Sequence, residues 1–317
     1  QKRLEKSNKK KIEKDELNFL EECKKLISDG KKPEELKIQT STMRLSAKCW
    51  GEPEGMPVLA FHGWLDNAAT FDHLAPFLKD FRLVSIDLPG HGFSEHKPSS
   101  SSYHFSDIIV EMLEVLNVLG WQSFSILGHS MGAGVASYLA GTIPEKIKSV
   151  ILIEGLGSLA QKAEKMPEIL RDSAEQWQQL ADKKLPLYPD IETAVKVRHH
   201  VGGIEESSVR TLVARGLKPV EGGFTWRSDP KLKIKSRHYL TEEQACAFLR
   251  EITAPVLLIE AENSKQDQWK ELLLKRVRHV KILHHRKVSG DHHLHLDKPQ
   301  EVASVIHEFL KQISEIP

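Results

Sequence analysis

A chain of 317 residues, 40% hydrophobic and 28% charged, has the apolar content for one large folded domain with an insertion. Its net charge of +1 excludes a general attraction to nucleic acid, and no run of about eighteen apolar residues is present to span a membrane. Cys23, Cys49 and Cys246 are scattered without C-x-x-C spacing, which points away from a disulfide framework and towards a reducing, cytoplasmic compartment.

Seven lysines and arginines from Lys2 to Lys14 face only Glu5 and Glu13. Leu17, Phe19, Leu20, Cys23, Leu26 and Ile27 follow at roughly helical spacing, and Asp29-Gly30 marks a stop. Residues 1–34 therefore read as a basic, partly helical extension, either solvated or touching an acidic surface, without the apolar core of a secretory signal. The chain opens on Gln1 rather than Met, so an upstream start is left open.

Lys37 to Cys49 reads as two strands with a turn near Thr40 to Thr42. Pro57 to Phe61 reads as a buried strand, and His62-Gly63-Trp64 follows it. In a serine hydrolase the loop at this point donates one oxyanion N–H and the residue after the nucleophile donates the other, here the backbone amides of Trp64 and Met131. His62 reads as a structural loop residue. A helix is expected from Ala68 to Leu78 and a strand from Arg82 to Ile86. After the flexible Pro98 to Ser102 segment, Phe105 to Leu119 reads as an amphipathic helix capped by Ser106.

Phe124 to Leu127 is an apolar run, followed by Gly128-His129-Ser130-Met131-Gly132 and then small residues at helical spacing. Strand, sharp turn and helix with Ser130 at the apex form the G-x-S-x-G nucleophile elbow. A Cβ on either side would crowd such a turn, and the helix N-terminus behind it favours negative charge. Ser149 to Ile153 reads as the sixth strand, with Glu154 at its carboxyl end. A carboxylate ending an apolar strand is costly unless paired, either with a histidine or with backbone N–H groups.

From residue 158 to 238 the strand signal fades into helices expected at Glu168 to Lys183, Ile191 to His199 and Glu205 to Arg215, with turns at Gly202-Gly203 and Gly222-Gly223. Trp177, Tyr188, Phe224 and Trp226 supply aromatic area there, more as core than as substrate contacts. Pro255 to Ile259 reads as the next strand and Val280 to Leu283 as the last. The segment Gly290 to Asp297 holds His292, His293 and His295, and an amphipathic helix carrying Val302, Ile306, Phe309 and Leu310 closes the chain. A late-loop histidine suits a general base, and His292 is the choice. A metal cluster is the competing reading of these crowded histidines and aspartates, set aside because the segment reads as a loop.

With these motifs in place, residues 36 to 313 resemble the α/β-hydrolase fold, and most closely the serine hydrolase-like proteins and their bacterial relatives. Their oxyanion loop also reads H-G-W-L-D-N-A, as His62 to Ala68 do here. Asp87-Leu88-Pro89-Gly90-His91-Gly92-Phe93-Ser94 and Leu294 to Pro299 match further family segments. The resemblance implies a mostly parallel sheet flanked by helices, with a helical cap inserted after strand 6. The core would be residues 35–157 and 239–317, and the cap 158–238.

The acid of the triad departs from the pattern. Much of the family carries aspartate after the seventh strand, where alignment puts Ser264 here; Glu262 and Asp267 are nearby but out of register. Some relatives, including one group of haloalkane dehalogenases, carry a glutamate after the sixth strand, as Glu154 does. Those dehalogenases and epoxide hydrolases have aspartate at the elbow, whereas Ser130 suits acyl transfer.

The expected protein is a serine hydrolase cleaving a carboxylic ester, thioester or lactone of a small to medium apolar acyl substrate. Its triad is Ser130, His292 and Glu154, working through an acyl-enzyme without metal or organic cofactor. Carbon–carbon bond hydrolysis on the same triad is one alternative and would ask for a pocket arginine among Arg198, Arg210, Arg215 and Arg227. A non-catalytic ligand-binding homologue is the other. Exposed apolar cap residues equally suit a homodimer interface.

Overall fold

The computed structural model describes residues 32–180, 185–263 and 267–315. The basic extension therefore lies outside the described residues up to position 31, as do Cys23 and Ser264, and only the backbone of Asp267 is described.

Among the described residues ten strands run in chain order: β1 Glu34–Gln39, β2 Arg44–Trp50, β3 Met56–Phe61, β4 Phe81–Ile86, β5 Phe124–His129, β6 Ile147–Ile153, β7 Leu217–Val220, β8 Gly223–Trp226, β9 Val256–Ala261 and β10 Leu283–Val288. Eight of them form one sheet in the order β1-β2-β4-β3-β5-β6-β9-β10. Within this sheet the β1–β2 and β2–β4 pairs are antiparallel and the remaining pairs are parallel. Parallel neighbours need crossovers, and helices supply them.

The central strands are continuous apolar runs because both faces are covered. Leu59, Ile126, Val150 and Leu258 pack on one face with α1 (Phe105–Leu119) and α2 (Met131–Thr142). The residues next to them, Val58, Leu127, Ile151 and Leu257, pack on the other face, against the C-terminal helix that carries Val302, Ile306 and Phe309. The period of two along each strand decides which layer each side chain joins.

Between β6 and the helix starting at Glu242 the chain leaves the sheet and builds the inserted cap. The cap holds α3 (Met166–Gln178), α4 (Ile191–Gly202), α5 (Glu206–Gly216) and the β7–β8 hairpin. Its small core gathers Val195, Val209, Leu212 and Leu217 around Tyr188, and takes in Leu296 from the main body. Tyr188 and Trp226 sit edge to face, with the indole N–H donating to the tyrosine oxygen at 3.0 Å. Four more helices follow: α6 (Glu242–Glu251), α7 (Asp267–Arg276), α8 (Leu294–Asp297) and α9 (Pro299–Ser314).

Four local expectations are corrected. The cap is not purely helical; four-residue strands containing Pro219 and a Gly222-Gly223 turn give too short a pattern to read. Ala68 to Leu78 forms two 3₁₀ turns, Ala68–Phe71 and Ala75–Phe77, because Pro76 lacks the N–H that an α-helix would need there. The cap of α1 is His104, extended and without a side-chain bond, so Ser106 lies within the first turn. The last strand begins where its expected range ends, at Leu283. Cys49 and Cys246 are buried and unbonded, and no helix among the described residues is long and apolar enough to cross a membrane.

Candidate active site

Ser130 sits between β5 and α2 at φ 54°, ψ −117°, a left-handed conformation rare for a non-glycine residue. Its N–H extends the ladder to the Ile153 carbonyl at 2.9 Å, and its own carbonyl accepts from Ala133 at 2.9 Å. The turn is tight enough that a Cβ on Gly132 would lie 2.7 Å from the His62 carbonyl oxygen. Only glycine lets the first turn of α2 press against the end of β3 and the loop beyond it.

Glu154 ends β6, also at positive φ (55°), with its N–H bonded to Ile259 at 2.9 Å. The side chain is 1% exposed. One oxygen accepts the Ala261 N–H at 2.6 Å, and the other lies 3.1 Å from Nδ1 of His292. Both pairings considered for a strand-end carboxylate are thus present at once. Nε2 of His292 lies 2.9 Å from Oγ of Ser130. Three side chains from β5, β6 and the loop after β10 therefore form one continuous hydrogen-bonded chain. Glu262 is exposed and makes no such bond among the described residues.

The Trp64 and Met131 amides have no hydrogen-bond partner among the described residues. The loop that carries Trp64 is held by two buried rings. His62 donates from Nδ1 to the Gly63 carbonyl at 2.7 Å and accepts from Leu88 N–H at 3.0 Å. His91 donates to the Pro89 carbonyl at 3.1 Å and accepts from Leu65 N–H at 3.3 Å. Each ring donates once and accepts once, the pattern of a neutral imidazole. Burial, reinforced by His62, pushes His91 down to about 3. Burial lowers His62 as well, against the pull of its bond to Gly63. The structural reading of His62 fits this role.

The His292 loop is fixed from behind. His129, the residue before Ser130, donates from Nε2 to the His292 carbonyl at 2.8 Å. Burial and then three neighbouring histidines hold the His129 ring well below the usual range. His293 bonds Asp66 at 2.9 Å, and Asp66 takes Arg198 of the cap at 3.0 Å. Burial would raise the Asp66 carboxyl, but His293 and Arg198 override it and hold it low. His295 lies 2.7 Å from the Thr70 hydroxyl. Sequence reasoning passed over His129 and Asp66, although both stand inside motifs it quoted.

The four arginines weighed as pocket residues already have protein partners. Arg198 takes Asp66, Arg210 takes Glu192 and Glu206, and Arg215 takes Asp87 and Glu35. Arg227 donates to the Leu217 carbonyl and stacks 4.6 Å over Phe93. Trp177 stacks under Arg237 at 4.3 Å. Trp64 is 53% exposed, with its indole N–H on the Leu232 carbonyl of the cap.

Comparison with known proteins agrees with this architecture. The family model of the alpha/beta hydrolase fold matches residues 56–299. A serine hydrolase-like protein of Dictyostelium discoideum is 34% identical over 294 residues, covering 87% of this chain and 81% of that protein. The crystal structure of a hypothetical protein from Pseudomonas aeruginosa PAO1 is 38% identical, with a TM-score of 0.82, covering 89% of this chain and 100% of that one. The thioesterase domain of the curacin biosynthetic pathway is 27% identical, with a TM-score of 0.78, covering 88% of this chain and 100% of that one. With an elbow serine, a cap after the sixth strand and relatives of this kind, the chain belongs to the α/β-hydrolase fold family, among the serine hydrolase-like proteins.

Proposed function

We propose that this protein hydrolyses a carboxylic ester, thioester or lactone by a Ser130–His292–Glu154 triad. The observation that carries the reading is the chain of contacts from Oγ of Ser130 to Nε2 of His292 at 2.9 Å, and from Nδ1 of His292 to Glu154 at 3.1 Å. Ser130 attacks the acyl carbon while His292 takes its proton at Nε2. The Nδ1–H points to Glu154, which fixes the tautomer and stabilises the imidazolium. The Ala261 N–H keeps the second Glu154 oxygen in place.

The tetrahedral oxyanion is held by the Trp64 and Met131 amides, each worth on the order of 3 kcal/mol. Their lack of other partners and the press of α2 against the β3 loop support this role. His292 then protonates the leaving group, and a water activated by the same ring releases the acid. The segment 158–238 serves as the cap that walls an apolar acyl site and excludes water. The thioesterase named among the structural neighbours supports acyl transfer, and the engagement of all four candidate arginines gives the carbon–carbon alternative no specific support.

The test is hydrolysis of a short-to-long p-nitrophenyl ester series by wild type, Ser130→Ala, Glu154→Gln and Glu262→Gln. Wild type is expected to turn over and Ser130→Ala to be inactive. Glu154→Gln is expected to lose on the order of 10⁴-fold in kcat, as when a triad carboxylate becomes an amide, with Glu262→Gln unchanged. A wild type that neither hydrolyses the series nor reacts with a fluorophosphonate would leave the ligand-binding homologue as the reading.

A further inference from the structure

Behind His292 lies a cluster of ligating groups for which the proposed hydrolysis has no chemical use. Asp66, His129 and His293 are all buried, and one ligand atom from each lies within 4.8 Å of the others. The three come from the loop after β3, the end of β5 and the loop after β10, so the fold itself gathers them.

His129 has the electronic arrangement of a metal ligand. Its Nε2 faces a carbonyl oxygen, which only accepts, so Nε2 carries the proton and Nδ1 presents a bare lone pair. Nδ1 is buried and without a partner among the described residues, on a residue that is 0% exposed. Metal-bound histidines characteristically donate their other N–H to a carbonyl or carboxylate, as His129 does to His292. A Cβ on Gly63 would lie 3.1 Å from Nδ1 of His129 and 3.2 Å from Oδ2 of Asp66, close enough to crowd both, so the two atoms converge on the side of Gly63 that bears no side chain. Oδ2 of Asp66 is in turn 2.9 Å from Nε2 of His293, whose Nδ1 is also buried without a partner.

We propose that Asp66, His129 and His293 form a site for a divalent transition metal of the zinc and cobalt class. Two imidazoles and one carboxylate are a borderline-soft donor set suited to these ions rather than to magnesium or calcium. On binding, His293 carries its proton on Nδ1 instead of Nε2, which frees the Nε2 lone pair for the metal. The Asp66 and His293 atoms, 2.9 Å apart without metal, separate slightly and the others draw in until all are about 3.3 Å apart, as tetrahedral bonds of about 2.0–2.1 Å require. The competitor is Arg198, which donates to Oδ1 of Asp66 at 3.0 Å from a position one quarter exposed on α4. Metal and guanidinium repel, so Arg198 turns out to solvent as the ion enters. Because His129 and His293 flank the His292 backbone, occupation displaces that ring and slows ester hydrolysis; this last consequence rests on the function proposed above, whereas the binding does not.

The experiment titrates the full chain, stripped with a chelator, with Co²⁺ while recording visible d–d absorption, then displaces the cobalt with Zn²⁺. One equivalent is expected to bind. Asp66→Asn and His293→Gln are expected to weaken binding more than tenfold, Arg198→Met to tighten it, and His200→Gln, an exposed control, to leave it unchanged. No cobalt spectrum at one equivalent overturns the proposal, as does uptake that survives both ligand substitutions. Should Asp66→Asn fail to fold, His293→Gln and Arg198→Met decide: loss and gain are expected, and no change in either overturns the site. Ester hydrolysis is first followed in the stripped, metal-free sample. Cobalt binding by a protein that shows no esterase activity before metal is added upholds the site and refutes the hydrolase reading, and esterase activity without cobalt binding refutes the site alone.

Discussion

Ser130 and Glu154 both occupy positive φ, at 54° and 55°, a conformation that costs a residue with a Cβ about 1–3 kcal/mol. Each is held there by a backbone bond to the next strand, Ser130 to Ile153 and Glu154 to Ile259. Strain at two adjacent strand ends turns both side chains towards the histidine loop. Gly132 makes the arrangement possible and is open to direct test. In Gly132→Ala the new methyl meets the carbonyl oxygens of Phe61 and His62, and neither backbone atom can yield as a flexible side chain would. The expected result is a loss of about 1–3 kcal/mol of stability and at least a tenfold fall in kcat, because Met131 and its amide are pushed off the β3 loop. Thermal melts by circular dichroism and steady-state kinetics on the same sample check both halves.

At this scale the sequence is readable where one residue type carries one chemistry. Ser130 between two glycines, and Glu154 ending an apolar strand, stand out for that reason. Asp66 and His129 do not, because their roles depend on loops that meet only in the folded chain, 227 and 163 residues from their partners in the sequence. An imidazole that orders a loop and one that takes a proton look alike until their neighbours are known.

Among elements, the joint between cap and sheet is carried by Arg215 of α5. Its Nε donates to Asp87 at 2.9 Å and its Nη1 to Glu35 at 2.7 Å. Asp87, directly after β4, also accepts from Ala68 N–H at 2.7 Å and Phe93 N–H at 2.9 Å. Burial favours its neutral form, but the guanidinium outweighs burial and holds the carboxyl low. Arg215→Met strands that carboxylate, and about 3–5 kcal/mol of stability is expected to be lost. Urea unfolding measures the loss, and adding Asp87→Asn is expected to return part of it, since an amide is easier to bury but bonds Ala68 and Phe93 less well.

The parallel strands are long and apolar on both faces, so β3, β5, β6 and β9 read clearly. The β7–β8 hairpin is too short for any period to emerge, and Tyr188 adds a bridge to β8 by exchanging N–H···O bonds with Phe224 at 2.8 and 2.7 Å. The 3₁₀ pair at Ala68–Phe77 turns on a single proline within an otherwise helical composition.

For the molecule as a whole, the buried rings of His62, His91, His129 and His295 set the response to acid. Burial lowers all four, and His91 reaches about 3. Below about pH 6.5 the unfolded chain binds protons on these residues that the folded chain refuses, so the unfolded state gains with each step down in pH. Stability is therefore fully present above about pH 6.5 and falls below it, by about 1.4 kcal/mol per pH unit for each ring in its window. Asp66 and Asp87, held low in the folded state, add a second loss only below about pH 4, where the unfolded carboxyls begin to protonate. Thermal midpoints measured from pH 8 to pH 4 are expected to decline from near pH 6.5, well before the carboxylates titrate.

The placement of Glu154 at the end of β6 has a consequence for how the molecule tolerates change. In relatives whose acid follows the seventh strand of the sheet, that connection must preserve an exact side-chain position through every insertion or deletion. Here the turn leaving β9 contributes to the proposed triad only the Ala261 N–H, before the turn begins, and is anchored afterwards by Glu262 and Asn263 N–H groups on Val288 and Gly290. The turn at Glu262 and Asn263 therefore carries no reacting group of that proposed triad. A reporter or an affinity tag spliced at this turn leaves Ser130, His292 and Glu154 untouched.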